Sequence, residues 1–155
     1  MGLSEFLSPD AVILNASASC KREAIALLAD KAAKLTGLAA PAIRHALMER
    51  EQLGSTGVGR GVAIPHGKIE GLGEIIGVLA KLEEPIDFEA VDDQPVDLVF
   101  VLLAPMDATA AHLKALAKVS RLLRDERIRE ALRGAETQEA LFAIAADTAQ
   151  SNAAA

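Results

Sequence analysis

The chemistry in this chain is concentrated where an apolar run meets a proline and then a histidine, in Gly61-Val62-Ala63-Ile64-Pro65-His66-Gly67-Lys68. Proline has no N–H for a sheet ladder, so a strand is expected to stop there, with the imidazole projecting at a sheet rim and not into a packed layer. Immediately upstream, Gly54-Ser55-Thr56-Gly57-Val58-Gly59-Arg60-Gly61 alternates glycines with other residues and carries two hydroxyls. Such a segment lets backbone N–H groups approach an anion closely, and the hydroxyls add donors. An imidazole beside an anion cradle points to phosphoryl chemistry on nitrogen. Taken alone, the glycine segment would serve equally well as a flexible connector. It is not a Walker loop, because it follows a helix and lacks the Gly-Lys-Ser/Thr ending.

Two further polar residues stand where an apolar one is expected. At about 100° per residue, the helix preceding the glycine segment gathers Ile43, Ala46, Leu47 and Leu53 on one side, and Arg50 falls within that stripe. Its guanidinium lies one turn from the helix end, from which it can extend past the stripe toward whatever the loop binds. His45 shares the opposite face with Glu49 and Gln52 and is expected in solvent without a role. A later helix repeats the anomaly: Ala115, Leu116, Val119, Leu122 and Leu123 form its apolar arc, with His112 at the centre and Lys114, Lys118 and Arg121 facing away. A histidine near a helix N-terminus sits where the dipole and free N–H groups favour anions. His112 is therefore expected to meet His66 if both open onto one sheet edge; the alternative is a core histidine satisfied by a backbone carbonyl.

The elements that must hold these groups follow from pattern. Ala11–Leu14, Val62–Ile64, Ile75–Leu82 and Val96–Leu103 read as strands, the last buried on both faces. Helices are expected from an N-cap at Ser19 to a stop at Gly37, and from Pro41 to about Leu53. Three more follow: one capped by Asp107 or Thr109 and running through Leu123, then others near Ile128–Leu132 and Thr137–Ala149. Strands enclosed by helices predict an α/β sandwich. The loop Glu83–Gln94, bracketed by Pro85 and Pro95, has no helix, so one strand pair is expected to be antiparallel and the sheet mixed, with about five strands flanked by helices. With no repeat or long linker, one domain is expected over residues 1–150, with a disordered tail at 151–155.

Composition narrows the function. A chain of 155 residues can bury roughly two-thirds of the surface exposed on unfolding, without disulfides or structural metals. The single cysteine, Cys20, can form no internal disulfide, which fits a reducing compartment, and the thiol is expected to be inert and partly buried. The N-terminus lacks the pattern of a signal peptide and no run approaches a membrane span, so a cytoplasmic protein without membrane insertion is expected. Net charge is −6, no basic block is present, and four scattered phenylalanines make no stacking face; nucleic-acid binding is excluded on that ground. The three histidines have no metal-site spacing, so neither a metal nor a cofactor is expected. Ser55 lacks the nucleophile elbow of a hydrolase.

The run from Arg50 to Lys68, together with Ala111-His112-Leu113-Lys114-Ala115-Leu116, resembles the active-site segments of the mannitol/fructose-type (type 2) enzyme IIA of the bacterial phosphoenolpyruvate-dependent phosphotransferase system, most closely its nitrogen-regulatory branch. The resemblance extends in element order over roughly residues 3–146. It implies a mixed sheet flanked by helices and a phosphocarrier with His66 phosphorylated on Nε2. Arg50 and His112 would hold the phosphoryl oxygens, and Ser55, Thr56 and Gly57 would line the pocket. The nucleophile must be neutral, its other nitrogen donating to a carbonyl that fixes the tautomer; that carbonyl is expected in Gly67–Ile69. The donor implied is an HPr-type carrier of the nitrogen branch, and the targets are partners such as potassium-transport regulators or sensor kinases. The alternatives are a sugar-specific enzyme IIA that passes phosphate to enzyme IIB, and an interaction module that has lost turnover.

Overall fold

The apolar run starting at Val96 forms the centre of the sheet. In this computed structural model, which describes residues 3–154 and, of 147–154, the backbone alone, it is strand β6 (Val96–Pro105). Around it lie β1 (Val12–Ala16), β2 (Gly57–Gly59), β3 (Val62–Ala63), β4 (His66–Ile69) and β5 (Ile76–Ile86). The order across the sheet is β1-β5-β6-β3-β2, and β4 also pairs with β6. The pairs β1–β5, β3–β6 and β4–β6 are parallel, whereas β5–β6 and β2–β3 are antiparallel. The expected mixed sheet is thus present, with β5 and β6 joined as the helix-free loop required.

Side-chain alternation along β6 divides the interior into two layers. Val99, Val101 and Leu103 pack with Val78 against Ile25, Leu28, Ile43 and Leu47 of α1 (Lys21–Thr36) and α2 (Ala40–Gln52). Leu98, Phe100 and Leu102 pack with Leu79 against Val119, Leu123, Leu132 and Leu141 of α3 (Thr109–Arg124), α4 (Glu126–Gly134) and α5 (Gln138–Ala154). The tail expected at 151–155 lies outside the residues whose side chains are described.

Several local expectations are corrected. The strand does not end at Pro65. The proline interrupts it between β3 and β4, both lying parallel to β6, and the Pro65 carbonyl still accepts from Leu102 N at 3.0 Å. Proline removes only a donor, so the chain skips a rung and resumes, and His66 opens β4 beside Leu102 rather than standing past the end of a strand. Pro85 lies inside β5, in the irregular stretch between Lys81 and Ile86 where the regular ladder is broken. Ser19 precedes the true N-cap of α1, Cys20; its N and Oγ both donate to Glu23 Oε1, at 2.8 and 2.7 Å. Neither Asp107 nor Thr109 caps α3, whose N-cap is Ala108 with no side-chain bond. Cys20 is exposed, not partly buried.

Candidate functional site

The two expected histidines meet. The ring centroids of His66 and His112 are 5.7 Å apart with their planes at 68°. The first comes from the start of β4 and the second from the first turn of α3, so the site forms where the proline break faces a helix N-terminus.

His66 is half-buried, and its Nδ1 lies 2.8 Å from the Ile64 carbonyl oxygen. A carbonyl can only accept, so Nδ1 carries the proton and Nε2 keeps its lone pair. The partner is two residues upstream rather than in Gly67–Ile69. Those downstream residues belong to β4, whose backbone pairs with β6, whereas Ile64 sits in the proline break outside either strand. Burial depresses the His66 pKa; the Ile64 carbonyl opposes this, the Arg50 charge lowers it further and Glu51 raises it, with a net downward shift. The ring is neutral at pH 7.

His112 is 8% exposed, and its Nε2 is buried with no hydrogen-bond partner among the described residues. Nε2 therefore lacks the backbone carbonyl that the core-histidine alternative called for. Its pKa is also lowered, by burial first and then by repulsion from His66 whenever that ring is protonated and from the Lys68 charge. Lys68 lies two residues beyond His66 and so on the same face of β4, with Nζ donating to Thr109 Oγ1 at 2.5 Å.

Arg50, in the last turn of α2, is half-buried, and its Nη1 donates to the Gly54 carbonyl at 2.9 Å. It reaches the loop, as expected, and its charge acts on His66. The buried stripe of α2 is, however, Ile43, Leu47 and Glu51, and Leu53 is exposed. His45 is exposed beside Glu49, as expected.

The loop hydroxyls behave differently from the sequence reading. Ser55 Oγ donates to the Phe88 carbonyl at 2.7 Å and accepts from Gly57 N at 3.0 Å. Thr56 is buried, and both its N, at 3.1 Å, and its Oγ1 donate to Glu51 Oε1. Each hydroxyl proton is engaged within the protein, so these residues fasten the loop instead of offering free O–H donors. Gly57 is needed for close approach: a Cβ there would come within 2.7 Å of Ala90 Cβ.

Glu51 escaped the sequence reading. Its carboxylate is buried, accepts from Thr56 and is bridged by Lys21 Nζ at 3.3 Å, which also reaches Glu89 at 2.7 Å. Its position was the available signal: four residues after Leu47 and eight after Ile43, it lies on the buried stripe of α2. Among the described residues, no group of three or more His, Cys, Asp or Glu side chains could hold a metal.

A neutral histidine fixed by a backbone carbonyl, beside a second histidine and within the field of an arginine, thus lies on a mixed α/β sandwich, and comparison with known proteins places that sandwich in the phosphotransferase system. The family model described as "Phosphoenolpyruvate-dependent sugar phosphotransferase system, EIIA 2" matches residues 5–147, and the chain belongs to that family. It is 48% identical over 146 residues to a nitrogen regulatory protein of Bradyrhizobium diazoefficiens, covering 94% of this chain and 95% of that protein. A nitrogen regulatory protein of Escherichia coli K12 is 41% identical over 147 residues, with 94% and 90% covered. The crystal structure of nitrogen regulatory protein IIA-Ntr from Neisseria meningitidis superposes with a TM-score of 0.86 at 34% identity, covering 92% of this chain and 97% of that one. No helix among the described residues is long and apolar enough to cross a membrane.

Proposed function

We propose that this protein is a nitrogen-regulatory phosphocarrier that accepts a phosphoryl group on His66 Nε2 from an HPr-type phosphohistidine donor of the nitrogen branch. The observation that carries this reading is the His66 Nδ1–Ile64 carbonyl bond in a neutral ring whose Nε2 is unprotonated. The family membership and the nitrogen regulatory relatives support it.

The transfer needs little acid–base work. The Nε2 lone pair forms a new N–P bond as the donor's N–P bond breaks, and that bond's electron pair returns to the donor imidazole. The proton on Nδ1 stays in place, where the Ile64 carbonyl stabilises the positive charge developing on the ring. Charge on the three equatorial phosphoryl oxygens is met by Arg50 and by His112, the latter having a nitrogen that lacks a partner. Ser55, Thr56 and Gly57 set the shape of the loop, with both hydroxyls and the N–H groups of Thr56 and Gly57 engaged within the protein.

Exposed Leu53, Met106 and Leu113 provide apolar surface at the end of α2, before α3 and beside His112. A carrier protein can dock on such a surface, and phosphorylation then adds nearly two negative charges to it. Regulation follows from which form a target, such as a potassium-transport regulator or sensor kinase, can bind. This chemistry belongs in the cytoplasm, where phosphoenolpyruvate and its relay proteins are found.

Incubation with phosphoenolpyruvate, enzyme I and the nitrogen-branch carrier is expected to add one acid-labile, base-stable phosphoryl group. Absence of labelling would leave an interaction module without turnover. Rapid discharge of the label to a fructose or mannitol enzyme IIB would instead establish the sugar-transport alternative.

A further inference from the structure

The opposite end of α3 holds a second polar cleft, which the phosphoryl site does not use. A cavity of about 330 Å³ lies between the β2–β3 turn and the last turn of α3, with Arg60, Ser120, Leu123, Arg124 and Arg129 among its lining residues. His112 opens α3 and Arg124 closes it, which places the cleft about 18 Å along the helix from the histidine pair.

Arg129 gives the cleft its character. It is 4% exposed, and its Nη1 donates to the carbonyls of Leu123 and Arg124 at 3.1 and 2.6 Å, closing the negative end of α3. That occupies one nitrogen. Among the described residues, Nε and Nη2 have no hydrogen-bond partner and no carboxylate pairs with this guanidinium. Two of the nearby acids are engaged elsewhere, whereas the third, Asp92, lies against Arg60 and offsets part of its charge. Asp97 is held by Arg133 at 2.9 Å, Asp92 accepts from the backbone N of Arg60 and Gln94, and Asp125 accepts from Arg127 N. Neither Arg129 Nε nor Nη2 is among the buried atoms that lack a partner, so both reach the solvent of the cleft, where an arriving anion can accept from them.

The two exposed arginines converge on the same space. Arg124 ends α3, and Arg60 occupies the β2–β3 turn at φ 60°, a left-handed conformation that its glycine neighbours adopt more readily. A strained backbone position thus carries a long cationic side chain into a cleft that already holds two others.

We propose that this cleft is a binding site for a small molecule bearing a phosphate or diphosphate group, separate from the His66 site. Guanidinium forks match phosphoryl oxygens in pairs, three positive charges suit a dianion or a more highly charged group, and the volume is that of a small-ligand pocket.

Amide shifts of ¹⁵N-labelled protein titrated with inorganic pyrophosphate, at ionic strength held constant with chloride, test this directly. Saturable shifts are expected at Gly59, Gly61, Leu123 and Arg124. Because Arg129 also closes α3, the exposed pair carries the test: Arg60→Ser with Arg124→Ser should weaken binding tenfold or more, with an unchanged melting temperature. Shifts around Gly67 and His112, from pyrophosphate entering the phosphoryl site, should be unaffected by that pair. Glucose 6-phosphate binding as tightly as pyrophosphate would identify a phosphorylated metabolite as the ligand class, and preference for pyrophosphate would identify a free inorganic anion. Shifts that never saturate, that chloride reproduces, that are confined to the Gly67–His112 region or that survive the double substitution would overturn the proposal. None of these readouts depends on His66 being phosphorylated.

Discussion

The two walls of the histidine site are built in opposite ways. On the α2 side, Glu51 gathers Thr56 N, Thr56 Oγ1 and Lys21, Ser55 is tied to Phe88, and Arg50 closes on Gly54. On the α3 side, the helix begins without a side-chain cap, and His112 Nε2 is buried without a partner among the described residues. One wall is held by bonds that are already made. The other keeps an unsatisfied nitrogen next to His66. Under the proposed function, the loop wall sets geometry in advance, whereas the helix wall completes its bonding only when a phosphoryl group arrives.

Four substitutions or conditions would break or sharpen that contrast. His66→Ala should abolish phosphoryl uptake, lowering the initial rate by at least about a thousandfold in a labelling assay, because the proposed function assigns the covalent bond to His66 Nε2. Glu51→Ala removes the acceptor for two Thr56 donors and one partner of Lys21, so it should cost about 3 kcal/mol. Chemical denaturation would show this as a lower midpoint at an unchanged slope. A loss within a few tenths of a kcal/mol would mean that the loop wall is not held by this carboxylate.

His112→Ala should behave in the reverse manner. It removes a buried nitrogen that has no partner, so stability should change by under about 2 kcal/mol, whereas phosphoryl transfer should slow by about ten- to a hundredfold. Stopped-time labelling together with a melting curve separates the two effects. Equal slowing by His112→Leu would agree with loss of an oxygen-binding group, and full activity in either variant would remove His112 from the site.

The smallest effect is on pH dependence. Both histidines have folded-state pKa values below the ordinary 6.5, His66 and His112 alike mainly through burial. The unfolded chain therefore binds more protons just below that value, and stability falls as pH drops through about 6.5 toward the lowered folded values. Above that range the two histidines contribute no slope. Denaturation midpoints at about pH 7.5 and about pH 5.5 should differ less in His66→Gln than in the parent chain.

What the sequence revealed follows the same physical divide. His66, Arg50 and His112 were legible because each is a polar residue interrupting an apolar pattern, and Lys68 was within reach by strand period. β6 was legible as an unbroken apolar run. β2 and β4 were not, because strands of three and four residues rich in glycine carry no alternation to read. The continuation past Pro65 depends on a tertiary partner, the Leu102 N–H, that no local pattern encodes. Glu51 was passed over because a glutamate at a helix end beside an arginine looks solvated, and only the fold shows Thr56 and Lys21 converging on it. The loop hydroxyls were misjudged for a related reason: Ser55 and Thr56 have acceptors, Phe88 and Glu51, that are set by packing.

The account rests on which nitrogen of His66 carries the proton. Long-range ¹H–¹⁵N correlation of the imidazole, recorded near pH 7 before and after phosphorylation, measures this directly. The structure predicts a neutral ring protonated on Nδ1, titrating below the ordinary histidine range, with phosphorus coupling on Nε2 once the carrier has acted. A ring protonated on Nε2, or a phosphoryl group on Nδ1 or on another residue, would contradict it.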